Sequence, residues 1–390
     1  MFRIKKLNAI SDAIYDYLTP DAYQVSDDFS EYEAVLVRSA KCHDMVFPGS
    51  LLAIARAGAG VNNIPVEACA EQGIVVFNTP GANANGVKEL VLAGMLMASR
   101  NLVEATEWVK TLIGSTDDVL AQVEKGKKKF VGPELAGKTL GVIGLGAIGV
   151  MVANAAHSLG MNVIGYDPYI SIESAWGLSQ DVHRALNLDQ LLSCSDYVTL
   201  HVPLLDNTKS FISSSEIAKM KPGAVLLNFA RNGLVEYDAL FVALEEKRIF
   251  RYVTDFPSAR LLDNESVICI PHLGASTPES EENCAKMAAS QLKDYLETGK
   301  IINSVNMPSA VLPFTGAFRI AVIHRNASGM VGKITAVLAD SGANITDMVN
   351  KSKSEIAYTV INLDEDAPDA AVSAISQIEG VIRVRTFKRQ

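Results

Sequence analysis

The sequence predicts an α/β protein in which a doubly wound parallel sheet is inserted within another α/β domain, and a ferredoxin-like domain follows. Strand-length apolar runs alternate with helix-length segments along most of the chain, which is the rhythm of a parallel sheet covered by helices. A Gly-x-Gly-x-x-Gly turn begins at Gly144, in the middle of the chain, so folded structure is expected before it. The last part of the chain has its own βαββαβ pattern.

The composition limits the class of protein. The 390 residues suffice for two or three domains, and 48% hydrophobic with 20% charged residues is typical of globular chains. A net charge of -9 argues against a nucleic-acid partner. The five cysteines are too widely spaced for a metal or redox motif. With no signal peptide and no apolar run of bilayer length, we expect a soluble cytoplasmic protein without a metal or membrane partner.

The first region predicts a small parallel sheet. Apolar runs of strand length occur at residues 35–37, 52–55 and 74–77. Residues 65–72 read as a helix that Gly73 closes. We assign residues 1–97 to a first domain, the first part of a substrate-binding domain.

The second region predicts a larger sheet that is buried on both faces. Its strands are expected within the near-continuous apolar runs 139–143, 163–166, 197–200, 225–227 and 267–270. These fall in a second domain, residues 98–274. A long helix at residues 279–297 is expected to return the chain to the first domain, so residues 275–312 form a return helix and linker.

The C-terminal region, residues 318–390, reads as a separate βαββαβ domain. Strands are predicted at residues 319–324, 345–350, 357–363 and 381–387, with helices at 330–341 and 367–378. This fold alone does not decide between a catalytic, a structural and a regulatory role.

The turn after the strand at 139–143 carries the strongest chemical signal. Gly144 allows a tight turn, Gly146 lets backbone N–H groups approach a pyrophosphate, and Gly149 permits close packing of helix on strand. Asp167 follows the next strand, where a carboxylate holds ribose hydroxyls and disfavours the 2′-phosphate of NADP. The sequence therefore predicts a Rossmann-type domain that binds NAD through residues 144–149, including Ala147 and Ile148.

Polar residues follow the later strands of this domain. They are His201, the segment 228–231, Asp255 and His272. In open α/β sheets the ligand crevice lies beyond the carboxyl ends of the strands, so these side chains are site candidates. His201 and His272 are both candidates for an acid/base, since imidazole titrates near neutral pH.

Four ordered segments resemble the D-2-hydroxyacid dehydrogenase family. The segments are residues 144–149, 201–208, 228–233 and 271–277. The resemblance implies a flavodoxin-like first domain, NAD as cofactor, Arg231 as the group that binds the substrate carboxylate and keto oxygen, and His272 as the acid/base. It also assigns a further set to the cofactor: His201, Val202, Pro203, Thr208, Ala230, Arg231, Asp255, His272 and Gly274.

The segments 37–39 and 55–63 resemble the family members that oxidise 3-phospho-D-glycerate at the start of L-serine biosynthesis. This resemblance implies that Arg38 and Arg56 contact the substrate phosphate and that the 58–60 backbone holds its carboxylate. Lys127 matches a cation supplied across a dimer interface, and a homodimer or homotetramer is implied. The substrate set is Arg38, Ser39, Arg56, Gly58, Ala59, Gly60, Asn62 and Lys127.

The C-terminal domain resembles ACT domains. Its segments 324–329 and 342–345 match the two ligand-binding segments of that family, although Ser328 stands where proline is usual. The resemblance implies L-serine as an effector, bound by His324, Asn326 and Asn344.

One departure concerns catalysis. The family places a glutamate a few residues after the aspartate that corresponds to Asp255, and residues 256–260 contain no acid. Asp263 and Glu265 are the candidates downstream. Two alternatives stay open: a dehydrogenase of another D-2-hydroxy acid, such as glycerate or 2-hydroxyglutarate, or an NAD-sensing regulatory protein on a dehydrogenase scaffold. The missing glutamate supports only the second, and Arg38 and Arg56 discriminate the first, because an unphosphorylated substrate offers them no phosphate.

Overall fold

A computed structural model describes residues 1–115 and 118–389 of the chain. It divides into two compact units, one formed by Met1–Ala82 with Glu281–Gln390 and the other by Asn83–Ser280. The division differs from the one predicted at residues 97/98 and 274/275, and the C-terminal region shares a unit with the first region. The boundaries of the four predicted domains remain predictions.

The first sheet has five parallel strands in the order β2-β1-β3-β4-β5. This is the flavodoxin-like strand order. The elements are β1 (Phe2–Lys6), a 3₁₀ turn (Asp12–Asp16), β2 (Tyr23–Ser26), β3 (Ala34–Val37), β4 (Ala53–Arg56), α1 (Val66–Glu71) and β5 (Val75–Phe77).

The second unit begins with helices and contains a seven-stranded parallel sheet. Its helices are α2 (Ala84–Arg100), α3 (Leu102–Lys110), α4 (Val119–Gly126), α5 (Ala147–Ser158), α6 (Ile172–Gly177), α7 (Leu188–Cys194), α8 (Ser214–Lys219), α9 (Tyr237–Glu245) and α10 (Ala259–Leu262), with a 3₁₀ turn at Lys127–Phe130. Its strands are β6 (Thr139–Ile143), β7 (Asn162–Tyr166), β8 (His183–Arg184), β9 (Tyr197–Leu200), β10 (Ala224–Asn228), β11 (Ile249–Thr254) and β12 (Val267–Cys269).

The strand order of this sheet is β12-β11-β10-β9-β6-β7-β8. In local numbering it is the doubly wound Rossmann order 3-2-1-4-5-6 with one strand added, so the predicted Rossmann-type sheet is confirmed. The order reverses between β6 and β9, and ligands bind at that point in such sheets. β11 escaped the sequence analysis because Arg251 interrupts its apolar run.

Helix α2 belongs to the second unit, although the sequence analysis placed most of it in the first domain. Its buried side chains include Val87, Val91, Met95 and Ala98. They share a hydrophobic core with residues of β6, α5 and β11, and this burial fixes the helix there.

Helix α11 (Pro278–Thr298) packs on the first sheet. Ala285, Ala288 and Leu292 lie on its apolar face and are fully buried. They share one core with Ile4 and Leu36 of the first sheet.

The C-terminal region forms a four-stranded antiparallel sheet in the order β14-β15-β13-β16. The chain order is βαββαβ, as predicted, whereas its identity as an ACT domain remains a prediction. Its elements are β13 (Phe318–Arg325), α12 (Met330–Asp340), β14 (Ile345–Lys353), β15 (Ile356–Leu363), α13 (Asp369–Ser376) and β16 (Val381–Lys388).

Three arginines attach this sheet to the rest of its unit by donating to backbone carbonyl groups. Arg385 donates to the carbonyls of Tyr295 and Leu296 near the end of α11, at 2.9 and 2.8 Å. The negative end of the helix dipole favours a cation there. Arg383 donates to the carbonyls of Leu51 and Gln72 in the first region.

The third arginine, Arg319, is only 1% exposed. It donates to the carbonyls of Thr298 and Leu312 and to Oδ1 of Asn362, each at 2.8 Å. The segment expected to be a linker is therefore held on the C-terminal sheet by a buried guanidinium.

Two further observations concern the classes of protein considered above. In residues 1–115 and 118–389, no helix is both long and apolar enough to cross a bilayer. The same residues contain no cluster of three or more His, Cys, Asp or Glu side chains suited to a metal ion.

We predict that Arg319→Leu destabilises the attachment of the C-terminal sheet. The change leaves several partly buried acceptors without a donor, which lowers the free energy of unfolding by about 3 kcal/mol or more. Urea unfolding followed by far-UV circular dichroism measures the effect. Arg389→Leu is the control, because Arg389 is exposed and donates one hydrogen bond, to the Thr315 carbonyl. Equal losses in both variants would contradict the role assigned to Arg319.

Candidate active site

The glycine turn after β6 leaves no room for side chains where the backbone makes contact. Gly144 has φ +92° and its N–H donates to the Tyr166 carbonyl at 2.9 Å. A Cβ on Gly149 would lie 1.9 Å from the Gly144 carbonyl oxygen, whereas a Cβ on Gly146 would meet nothing within 4 Å. The space in front of Gly146 and the uncapped N-terminus of α5 fit a pyrophosphate group.

Asp167 lies beside this turn, at the carboxyl end of β7. One carboxylate oxygen accepts from the N–H of Leu145 and the other from the N–H of Tyr169, both at 2.8 Å. Each oxygen keeps a second acceptor position. The carboxylate is thus oriented next to the glycine turn, where the ribose of a dinucleotide is expected.

His201 follows β9 and packs against the same turn. The backbone N–H of His201 donates to the Ile143 carbonyl at 2.7 Å, and Nε2 of its ring lies 3.0 Å from Oγ1 of Thr199. Nδ1 is buried without a partner among the described residues. Burial lowers the pKa of His201 to about 3, so its ring is neutral near pH 7. Of the two histidines left open by the sequence, this one is unsuited to acid/base chemistry.

The next segment, residues 202–208, forms a closed turn. Thr208 donates from Oγ1 to the Pro203 carbonyl and accepts from the N–H of Leu205, both at 2.7 Å. Val202 lies against the glycine turn, since a Cβ on Gly144 would lie 2.9 Å from its Cγ1.

Asn228, at the end of β10, shapes the loop that carries Arg231. Its amide donates to the Arg231 carbonyl at 3.0 Å and its Oδ1 accepts from the N–H of Ala230 at 3.2 Å. Asn228 is 1% exposed. The guanidinium of Arg231 is exposed, with one hydrogen bond to the Ala230 carbonyl at 2.6 Å.

Asp255 interacts electrostatically with both His272 and Arg231. Asp255 is 2% exposed, and its Oδ1 has no partner among the described residues. Burial raises the pKa of its carboxyl group, while the charges of His272 and Arg231 act in the opposite direction. The Phe256 ring meets the His272 ring edge-on, with centroids 5.0 Å apart. Gly274 follows, and a Cβ there would lie 2.8 Å from Val87 of α2.

The side chain of Arg260 and the backbones of Asp263 and Glu265 make contacts of their own after Asp255. Arg260 pairs with Asp238 at 2.8 Å, Asp263 is the C-cap of α10, and the Glu265 carbonyl accepts from Arg251 at 2.6 Å. The charge of His272 acts on Asp255 and opposes the effect of burial on the pKa of its carboxyl group.

The first unit contains a cationic cleft of about 540 Å³. Three predicted substrate residues, Ser39, Arg56 and Asn62, line it. Lys41 and His43 line it as well and were missed by the sequence analysis. Their position a few residues beyond the carboxyl end of the apolar run 35–37, close after Ser39, was the available signal.

The loop 58–60 is fixed by its neighbours. The Gly58 N–H donates to Oγ1 of Thr79 at 2.8 Å, Asn78 donates to the Ala59 carbonyl at 2.6 Å, and Arg56 donates to the Gly60 carbonyl. The Gly58 N–H is therefore engaged within the chain, and the predicted role of residues 58–60 in holding the substrate carboxylate stays a prediction.

The remaining two predicted substrate cations are ion-paired. Arg38 pairs with Glu281 at 2.6 Å, with about two fifths of each side chain exposed. Lys127, in the second unit, pairs with Glu124. The sequence analysis missed Glu281, which lies 243 residues from its partner.

The predicted effector residues have different environments. His324 is 1% exposed, and its ring nitrogens lie 2.8 Å from the Arg325 carbonyl and from Oγ1 of Thr359. Asn326 and Asn344 are exposed, and they donate to the Ser354 carbonyl and to the Asp364 carboxylate.

Comparison with known proteins agrees with this geometry. Residues 92–274 match the family described as D-isomer specific 2-hydroxyacid dehydrogenase, NAD binding domain. A D-3-phosphoglycerate dehydrogenase of Escherichia coli is 34% identical over 354 residues, which are 86% of this chain and 81% of the relative. One of Methanocaldococcus jannaschii is 39% identical over 305 residues, 77% of this chain, and the match spans 55% of that longer relative.

Among solved structures, the NAD⁺-bound 3-phosphoglycerate dehydrogenase of Entamoeba histolytica aligns with a TM-score of 0.59 and 27% identity. The alignment covers 78% of this chain and 98% of that one. From the sequence match to the bacterial relative, together with the glycine turn and the Rossmann strand order, we conclude that the chain belongs to the D-isomer specific 2-hydroxyacid dehydrogenase family.

Proposed function

We propose that the chain oxidises 3-phospho-D-glycerate to 3-phosphohydroxypyruvate with NAD, the first step of L-serine biosynthesis. The observation that carries the substrate assignment is the cationic cleft of the first unit. Arg56, Lys41 and His43 lie together there with the hydroxyl of Ser39, a set suited to a phosphate group. An unphosphorylated hydroxy acid such as glycerate or 2-hydroxyglutarate offers this set of groups no ligand group of the charge density of a phosphate.

NAD is the cofactor, and the residues of the second unit suit it. The space in front of Gly146, the carboxylate of Asp167 and the unpartnered polar atoms of His201 and Asp255 offer complementary groups for its phosphates, ribose and amide. Bound NAD supplies the acceptor for the hydride that leaves C2 of the substrate.

His272 takes the proton of the substrate 2-hydroxyl. Imidazole is the side chain suited to this transfer at neutral pH. With the usual glutamate absent, we assign the supporting negative charge to Asp255, because its charge acts on His272 and its Oδ1 has no other partner among the described residues. A carboxylate there favours the protonated ring that proton transfer creates.

Arg231 holds the substrate carboxylate and the oxygen that becomes a carbonyl. Its guanidinium is a fixed fork of donors, it is exposed, and the Asn228 amide shapes its loop. The positive charge of the guanidinium stabilises the negative end of the carbonyl dipole as it develops, and this lowers the activation barrier of hydride transfer.

We propose a homodimer or homotetramer. Val109, Ile113 and Leu120 are 47%, 83% and 77% exposed in the segment that also carries Lys127. Apolar exposure of this kind is a mark of an interface. Lys127 would then contribute its charge across that interface, and light scattering that finds a monomer would refute the assembly.

We also propose that the C-terminal sheet is an ACT domain that binds L-serine. The exposed amides of Asn326 and Asn344 are available to a small polar ligand. Buried His324 contacts the Arg325 carbonyl and Oγ1 of Thr359, and so fixes the end of β13 that leads into Asn326.

The substrate assignment predicts that Arg56→Ala and Lys41→Ala raise KM for 3-phosphohydroxypyruvate and lower kcat/KM by about tenfold or more, through loss of charge-assisted contacts. Affinity for NADH should not change. Steady-state kinetics with NADH measures this, and Lys333→Ala, an exposed lysine of α12, is the control. Higher efficiency with glycerate or 2-hydroxyglutarate would favour another hydroxy acid. No turnover with any of these substrates would favour the NAD-sensing alternative.

The acid/base assignment predicts that His272→Gln lowers kcat by about 10²- to 10⁴-fold while NADH still binds. His157→Gln is the control, because His157 is an exposed histidine beside Asp181 in the same unit, and it should retain wild-type turnover.

The assignment of Asp255 predicts a change in the pH dependence of oxidation. Asp255→Asn removes a charge that favours the protonated ring of His272, so the acidic limb of the kcat/KM profile should move to lower pH. Asp263→Asn and Glu265→Gln should leave it in place. If the acidic limb of the kcat/KM profile moves in Asp263→Asn or in Glu265→Gln but not in Asp255→Asn, the assignment to Asp255 is wrong.

The effector assignment predicts that L-serine changes turnover with a coupling free energy of about 1–3 kcal/mol, and that Asn344→Ala abolishes this response. Calorimetry and turnover are followed in one titration. Binding without a rate change would make the domain structural, and no binding would refute serine as its ligand.

A further inference from the structure

A second polar cleft lies in the first unit, along the side of α11 that faces away from the core. Asn283, Ser290, Gln291 and Asp294 recur at helical spacing on this side and line a cleft of about 520 Å³. Lys300 follows the helix and lines the cleft as well. None of the residues proposed for catalysis, cofactor or serine lines it.

Gln291 is the feature that points to a ligand. It is only 7% exposed, yet neither Nε2 nor Oε1 of its amide has a hydrogen-bond partner among the described residues. A buried amide without partners is unfavourable by about 1–3 kcal/mol, so such a group in a native fold requires an explanation. Gln291 lines the cleft. Because its two amide atoms have almost no solvent-accessible surface, a molecule bound in the cleft reaches them after the side chain changes rotamer.

The charges around the cleft are already balanced within the chain. Lys286 pairs with Glu282 at 2.7 Å and with Asp16 at 3.4 Å, and Lys300 pairs with Asp294 at 2.8 Å. A free anion such as phosphate would have to compete with these carboxylates. The cleft therefore suits a molecule without net charge that offers donors and acceptors side by side.

A zwitterion meets these requirements better than a neutral polyol. Lys300 and Asp294 place opposite charges beside Gln291. Lys300 can bind a negatively charged group of a ligand, and Asp294 can bind a positively charged group. A ligand carboxylate would receive hydrogen bonds from Lys300 and from the Gln291 amide N–H, and a ligand ammonium would donate to Asp294 and to Oε1 of Gln291. Because a zwitterion has no net charge, its binding leaves the net charge of the cleft unchanged.

We propose that this cleft is a binding site for a free α-amino acid, with Gln291 as the central contact and the Lys300–Asp294 pair as the two charged contacts. The volume leaves space beyond the amino and carboxylate groups for a side chain of the ligand. The site is separate from the proposed serine site on the C-terminal sheet, and it does not depend on the proposed dehydrogenase activity.

Isothermal titration calorimetry of the full chain tests the proposal. Each protein amino acid is titrated separately at millimolar concentration, first into wild type and then into Asn344→Ala, which removes a contact of the proposed serine site. The tightest ligand is then compared with its amide, which lacks the carboxylate, and with its N-acetyl derivative, which lacks the ammonium. Glycerol serves as the neutral polyol.

The variants are Gln291→Met, which keeps the side-chain length and removes the amide, and Asp294→Asn. Lys293→Gln is the matched control, because it changes a lysine of the same helix that does not line the cleft. Thermal melts by circular dichroism verify that each variant folds. If Gln291→Met does not fold, Asp294→Asn and Lys300→Gln carry the test.

We expect at least one amino acid to bind wild type, Asn344→Ala and Lys293→Gln alike, and its affinity to fall by about tenfold or more in Gln291→Met and Asp294→Asn. Both analogues should also bind at least tenfold more weakly. The proposal is overturned if no amino acid binds, if Gln291→Met binds as wild type does, or if glycerol or both analogues bind as well as the amino acid. These outcomes do not involve turnover, so they are distinct from failure of the proposed activity.

Discussion

The close approach of backbone to backbone at the turn after β6 is the constraint on which the second unit depends. Gly149 must lack a Cβ because the Gly144 carbonyl occupies that position, and Gly144 must lack one because the His201 carbonyl lies 2.5 Å away from where it would be. The turn thereby joins the ends of β6, β7 and β9. Asp167 and His201 follow directly from those last two strands, so their positions depend on the same contact.

Burial shifts the pKa of two polar groups of this unit, His201 and Asp255. Burial of the ring lowers the pKa of His201 to about 3, which keeps the ring neutral as a hydrogen-bonding group. Asp255 is 2% exposed and lies near the charges of His272 and Arg231, which offset part of the unfavourable burial of a carboxylate. The neighbours of each group thus decide how burial affects its pKa.

In the first unit, α11 contacts both the five-stranded sheet and the C-terminal sheet, and it also lines the second polar cleft. Its apolar side packs on the five-stranded sheet, its last carbonyls accept from Arg385, and its outward side lines the cleft around Gln291. Ala321, Ile323 and Tyr358 of the C-terminal sheet belong to the same hydrophobic core as this helix. Arg319 and Arg383 add buried donors to carbonyls on neighbouring segments. The C-terminal sheet is therefore packed within the unit, and any ligand that moves it acts on a shared core.

The sequence by itself determined most of the elements, the Rossmann-type sheet and the family, because hydrophobic periodicity and glycine spacing are local properties. Periodicity also predicted the βαββαβ order of the last region and the helix that returns to the first sheet. Only the tertiary structure decided which distant groups meet: Arg38 with Glu281, His272 with Asp255, and Arg319 with the segment read as a linker. It also decided which histidine stays neutral and which glutamine is left without a partner. These outcomes depend on burial and on contacts between residues far apart in the chain, and no local pattern encodes either.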